Sequence, residues 1–313
     1  MGPRLLAAMT LTLVSLPSLA QTVPGTPPPR TWVDKDTGHR VWRLSNEANS
    51  GGFYFNVNAY TPDDKQMIYT APDGIHVLDL ATRETKLLVP NPPRPADAES
   101  NPRARFMYGV HALVVGHKTN SVFYTAMNPE THVVSVYKAD TNSGKIRKLV
   151  DLPPNHMIVS INADETLAAG TSIVGGPRGE AYGAAMPGAQ QRPDNRVASS
   201  QQGPHFQPFN KGQMMERRLA AHLPLVLFTI RLEPGPNGEK PGTIKILLHS
   251  TDWINHLLFS PSDPTLLMYC HEGPWHKVDR IWTIHTDGTH NTLIHHRTMA
   301  MEIAGHEFWG LDG

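Results

Sequence analysis

The chain has 313 residues, 39% of them hydrophobic, and carries 28 Lys+Arg against 28 Asp+Glu, so it has no formal net charge. That length is ample for a sizeable core in one large all-β domain. Neutrality excludes a global electrostatic draw to nucleic acid or to an anionic membrane surface, and the single cysteine, Cys270, excludes an internal disulfide.

Residues 1–20 read as a secretory signal peptide. Arg4 supplies a positive charge, Leu5–Leu16 is largely apolar, and Ser18-Leu19-Ala20 is a small-x-small cleavage site before Gln21. The run is too short for a membrane span, and no other run reaches spanning length. The expectation is an exported protein, periplasmic or secreted. Residues 21–31 are Pro-rich (TVPGTPPPR) and read as an extended tether. The remainder, 32–313, reads as one all-β domain.

One pattern recurs along that domain: an alternating run, a turn, two further β-rich runs, a polar turn and a closing run. The first copy takes Phe53–Tyr60, a TPDD turn (61–64), Gln66–Thr70, a PDG turn (72–74), Ile75–Leu80 and Thr85–Val89. The second takes Phe106–Val115, VFYTA (122–126), VVSVYKA (133–139) and KIRKLV (145–150). The third takes MIVSIN (157–162) and TLAAGTS (166–172), is interrupted at about 174–223, and resumes with LVLFTI (225–230) and TIKILL (243–248). Inside the interruption, QMMERRLAAH (213–222) predicts a short helix. The fourth takes INHLLFS (254–260), LLMYC (266–270), RIWTI (280–284) and NTLIH (291–295), and Met299–Trp309 predicts the opening of a fifth. Four strands per unit at this period predict the blades of a β-propeller. The earlier run HRVWRL (39–44) is then expected as the outer strand of a last blade. About four blades and a fraction do not make a closed ring, so the chain reads as a fragment or a copy lacking its C-terminal blades; the alternative is that GHEFW completes the first blade of a small ring.

Polar residues gather where the late strands end: His256, His271, Glu272, Asp279, Arg280 and His306. Cys270, in the apolar run LLMYC, reads as buried packing. The order CHEGPW (270–275), VDRIW (278–282), GHEFW (305–309) and a closing DG resembles the oligogalacturonate lyases, a family of seven-bladed β-propeller enzymes of pectin breakdown. The resemblance implies β-elimination on galacturonate oligomers, an anionic oligosaccharide partner. On it, His306 matches the catalytic base and Arg280 the cation that neutralises the substrate carboxylate. His271, Glu272 and His256 are candidates for substrate binding. Histidine suits the base because it titrates near neutrality, and arginine suits a carboxylate through its forked donors. The resemblance also implies Mn2+ held by three His and one Gln. In the family these lie beyond the HEFW segment, and no residue here matches them, so no metal ligand is assigned. His285, His290, His295 and His296 are set aside as a site. Two rival readings remain: a non-catalytic periplasmic propeller of the TolB or WD40 kind, used for binding or scaffolding, and a degenerate copy.

Overall fold

A computed structural model describes residues 29–93, 109–174, 211–310 and 312–313. The expected leader, the tether up to residue 28, the start of the second unit at Phe106 and most of the interruption lie outside the described residues. The chain divides into two units, one ending at Asn46 and one running from Glu47 to Gly313.

In the first unit, β1 (Thr31–Val33) pairs antiparallel with β2 (Arg40–Trp42). Residues 39–44, expected as a strand, supply β2, whose partner is β1. The Asp34 carboxylate accepts the backbone N–H of Thr37 at 2.8 Å and of Asp36 at 3.2 Å. The chain therefore reverses at once, and β2 meets its own neighbour first.

The second unit holds four antiparallel sheets, each a meander in chain order. The first is β3 (Gln66–Ala71), β4 (Gly74–Asp79) and β5 (Thr85–Pro90). The second is β6 (His111–Val115), β7 (Ser121–Met127), β8 (Val134–Asp140) and β9 (Ile146–Asp151). The third is β10 (His156–Ile161), β11 (Leu167–Ile173), β12 (Leu225–Arg231) and β13 (Ile244–Ser250). The fourth is β14 (Trp253–Phe259), β15 (Leu266–Glu272), β16 (Ile281–His285) and β17 (Thr292–Leu293). These are the blades of a β-propeller. A helix, α1 (Lys211–Ala221), sits where the sequence predicts one.

Middle strands such as β4, β7 and β12 are buried almost end to end, because a blade is covered on both faces by its neighbours. Three apolar clusters fill the gaps. Ile68, Ile75 and Val122 join the first and second blades. Phe123, Ile161 and Phe228 join the second and third. Leu227, Phe259 and Leu267 join the third and fourth. Each such side chain contributes about 1.5–3 kcal/mol on burial.

One turn chemistry closes the outer hairpins. Asp79 and Asp140 each accept two backbone N–H groups and one hydroxyl from the following residues. A second turn type staples neighbouring blades. Asp63 accepts from the Asn120 amide at 2.7 Å. Asn162 donates to the Pro264 carbonyl at 3.1 Å. Glu165 accepts the backbone N–H groups of Lys118 and Thr119, the Thr119 hydroxyl and Lys138 Nζ at 2.7–2.9 Å. At the PDG turn only glycine fits position 74: its φ is +146° and a β-carbon there would collide with the Val89 carbonyl.

Two strand expectations are corrected. Phe53–Tyr60 is no strand; it touches β3 only at the bridges Gly51–Thr70 and Tyr60–Met67. Between them it bows away through a turn, Val57 N–H donating to the Tyr54 carbonyl at 2.9 Å, so among the described residues the first blade has three strands. Met299–Trp309 also forms no strand. Its side chains alternate, but its bonds run to side chains and to a bulge rather than to a ladder.

Candidate active site

The site grows from an irregularity in β14. Its pairing with β15 shifts between Asn255 and Leu258, and His256 inside that bulge takes a left-handed φ of 48°. A bulge re-aims the side chain it carries. His256 Nδ1 thereby lies 2.9 Å from Glu307 Oε1, and its Nε2 lies 3.7 Å from Glu272 Oε2.

Residues two apart on β15 share a face. Cys270 and Glu272 therefore point together into the blade, both buried. His271 points the other way, with Nε2 3.5 Å from Asp252 Oδ1. The remaining Glu272 oxygen, Oε1, accepts Arg280 Nη1 at 2.6 Å. Glu307, His256, Glu272 and Arg280 thus form one continuous polar chain inside an apolar blade.

Electrostatics follow this geometry. Burial opposes ionisation of Glu307, but the His256 hydrogen bond, its own backbone N–H and the positive field of Arg280 hold its carboxyl below the usual range. Burial pushes the Cys270 thiol well up and so disfavours its thiolate. Burial, with Arg280 nearby, also lowers His271, against the pull of Asp252.

The segment 305–309 lies along this chain of groups. Glu307 and Trp309 point inward; Trp309 Nε1 donates to the Leu258 carbonyl at 2.9 Å. His306 and Phe308 point outward. His306 has a left-handed φ of 60° and its ring meets Phe55 edge-on at 4.8 Å. Gly305 sits against Arg280: a β-carbon there would be 3.9 Å from Arg280 Nε. That Nε is buried and has no acceptor among the described residues. Asp279 fixes the preceding loop, accepting from Arg297 and meeting His296 Nδ1 at 2.9 Å. Trp275 has Arg280 5.9 Å and Lys211 of α1 5.6 Å from its ring centre.

Of the candidate residues, the structure brings His256, Glu272 and Arg280 together. It places His306 one residue from the Gly305–Arg280 contact and turns His271 to the opposite face of β15. Of the histidines set aside, His295 goes to Glu302 and His296 to Asp279, while His285 and His290 meet edge-on at 5.1 Å. Glu307 and Cys270 were missed as members of the group. The signal for Glu307 was its place beside His306 in an alternating run, which puts it on the inward face.

Residues 237–313 match the family model described as oligogalacturonate lyase. Over this stretch the chain is similar to the oligogalacturonate lyases. It is 36% identical over 73 residues to the oligogalacturonide lyase of Pectobacterium atrosepticum, a match covering 23% of this chain and 19% of the relative. It is 33% identical over 75 residues to the oligogalacturonate lyase of Dickeya dadantii, covering 24% of this chain and 19% of the relative. The fold extends the likeness further. An oligogalacturonate lyase from Vibrio parahaemolyticus superposes with a TM-score of 0.57 at 18% identity, over 85% of this chain and 58% of that one. An oligogalacturonate lyase in complex with manganese superposes with a TM-score of 0.58, at the same identity and coverage. The chain thus spans less than two thirds of the lyase propellers it resembles.

The described residues do not fit manganese. Their one His/Cys/Asp/Glu group with ligand atoms in reach of a shared ion is His256, Cys270 and Glu272. A thiol is a poor donor for this hard cation, which prefers carboxylate, carbonyl and water oxygens.

Proposed function

We propose that the protein acts on galacturonate oligomers by β-elimination, with Arg280 binding the substrate carboxylate and His306 as the base. The observation that carries this reading is the free Arg280 Nε–H beside Gly305, one residue from His306. A buried donor without an acceptor costs about 1–3 kcal/mol, and a substrate carboxylate repays that cost on binding. Glu272 holds the fork in place through Nη1.

The chemistry needs such a cation. The proton on C5 of a uronate is α to the carboxylate, and removing it builds a second negative charge on the same group. A guanidinium on the carboxylate stabilises that charge. A ring nitrogen of His306 takes the proton. The C5–H electron pair becomes the C4–C5 double bond, the C4–O bond breaks, and the leaving oxygen is protonated from the imidazolium or water. Outward-facing His306 is open to substrate, and its left-handed backbone is a local strain of the kind that collects at functional sites. The manganese that the family resemblance leads one to expect has no ligand set among the described residues, and no step here runs through it. The reading places the protein in pectin breakdown, outside the cytoplasm, on the strength of the leader-like residues 1–20. A purely scaffolding propeller accounts for the blades but not for a buried guanidinium N–H without an acceptor beside an exposed histidine.

The test is the ultraviolet absorbance of the unsaturated uronate product from digalacturonate or trigalacturonate. Product from the wild type and none from His306→Ala supports the reading. Turnover in His306→Ala within a few-fold of wild type removes His306 as the base.

A further inference from the structure

We propose that His256, Cys270 and Glu272 form a binding site for a zinc-type divalent cation, with Glu307 orienting the histidine ligand. One ligand atom from each residue lies within 4.8 Å of the other two. The His256 Nε2 to Glu272 Oε2 distance is 3.7 Å, and the edge of a tetrahedral zinc site is about 3.3–3.6 Å from zinc bond lengths.

Three further features point to a cation of this class. Glu307 occupies Nδ1 of His256 at 2.9 Å, which leaves Nε2 as the ligating nitrogen; a carboxylate on the far ring nitrogen is the usual support of a metal-bound histidine. Arg280 occupies Oε1 of Glu272, which leaves Oε2, the oxygen 3.7 Å from His256 Nε2, for the ion. Charge also balances. A Cys270 thiolate and the Glu272 and Glu307 carboxylates are matched by a divalent cation and the Arg280 guanidinium. Without the cation and with the thiol protonated, the buried group carries one uncompensated negative charge. A thiolate with imidazole and carboxylate selects zinc over manganese or magnesium. On binding, the Cys270 S–H bond breaks, its proton goes to solvent and the sulfur bonds the metal; water fills the fourth position. The His256 side chain retains 24% exposure, which gives the ion a route in.

The experiment uses the full chain, stripped with a chelator and titrated first with cobalt(II), then with zinc. The expected result is one equivalent of cobalt with a thiolate-to-cobalt charge-transfer band, bleached by one equivalent of zinc. His256→Gln should bind at least about tenfold more weakly, and Glu307→Gln about 10–100-fold more weakly. Cys270→Ser should lose the band; because Cys270 is fully buried, the His256 and Glu307 variants carry the test if the serine variant fails to fold. Absence of the charge-transfer band in the wild type overturns the proposal. So does zinc affinity unchanged in His256→Gln. Neither readout depends on sugar chemistry, so the site and the lyase reading can fail separately.

Discussion

Glu307 holds His256 through a 2.9 Å contact between Oε1 and Nδ1, across 51 positions of sequence. This contact ties the irregular segment 305–309 to the bulge of β14. The Glu307 side chain is 2% exposed, so removing its charge is expected to be costly.

Glu307→Gln should lower stability by about 1–3 kcal/mol in a thermal or urea melt. The folded-state carboxyl is held below its ordinary range, against burial, by the His256 hydrogen bond and nearby positive charge. Such a group stabilises the fold above its unfolded-state pKa and loses that contribution as pH falls through the folded-state value. The gap between wild type and Glu307→Gln should therefore shrink as the melts move to acid. A gap that widens on acidification contradicts the assignment.

Arg280 and Glu272 form a buried ion pair, 2.6 Å long, with side chains 4% and 9% exposed. Glu272→Ala strands a buried guanidinium and should cost about 3–5 kcal/mol. The double variant Glu272→Met, Arg280→Met should be more stable than Glu272→Ala, because no lone charge remains. A double variant no more stable than Glu272→Ala would contradict a stranded-charge penalty.

Much of this was legible in the sequence. Period-2 runs separated by Asp, Asn, Pro and Gly turns placed sixteen of the strand-forming stretches in outline, and TPDD and PDG fixed where the first blade turns. Where sequence reading failed, the missing fact was a partner. Phe53–Tyr60 and Met299–Trp309 alternate as strands do, yet alternation reports which side chains face inward, while a strand also needs a ladder. The first bows through the turn at Tyr54–Val57; the second spends its bonds on His256 and the Leu258 carbonyl. Strand ends pointed to Glu272, Arg280 and His256. The bulge that turns His256 toward Glu307 has no mark in the sequence, so the role of Glu307 stayed hidden.

Glu165 staples the third blade to the second through four acceptor contacts, one of them to Lys138 Nζ at 2.7 Å. Glu165→Gln should cost about 2–3 kcal/mol. That is less than for a fully buried pair, because the Lys138 side chain keeps 21% exposure. A melt unchanged within about 0.5 kcal/mol would mean that apolar packing alone joins these blades.

His306 should separate stability from chemistry. Its φ of 60° suits glycine, so His306→Gly should leave stability unchanged or raised by up to about 1 kcal/mol, with a melting temperature no lower than wild type. The same variant should lose turnover on trigalacturonate. A lower melting temperature would assign His306 a structural role instead.

The most direct measurement is calorimetric titration of digalacturonate into wild type and Arg280→Lys. Lysine keeps a positive charge for Glu272 but has no donor in place of the free Nε–H. The account predicts binding heat with wild type and about tenfold weaker binding with Arg280→Lys, the equivalent of roughly 1.4 kcal/mol. No heat with wild type, or equal affinity in the two proteins, would contradict the role of Arg280 as the carboxylate clamp.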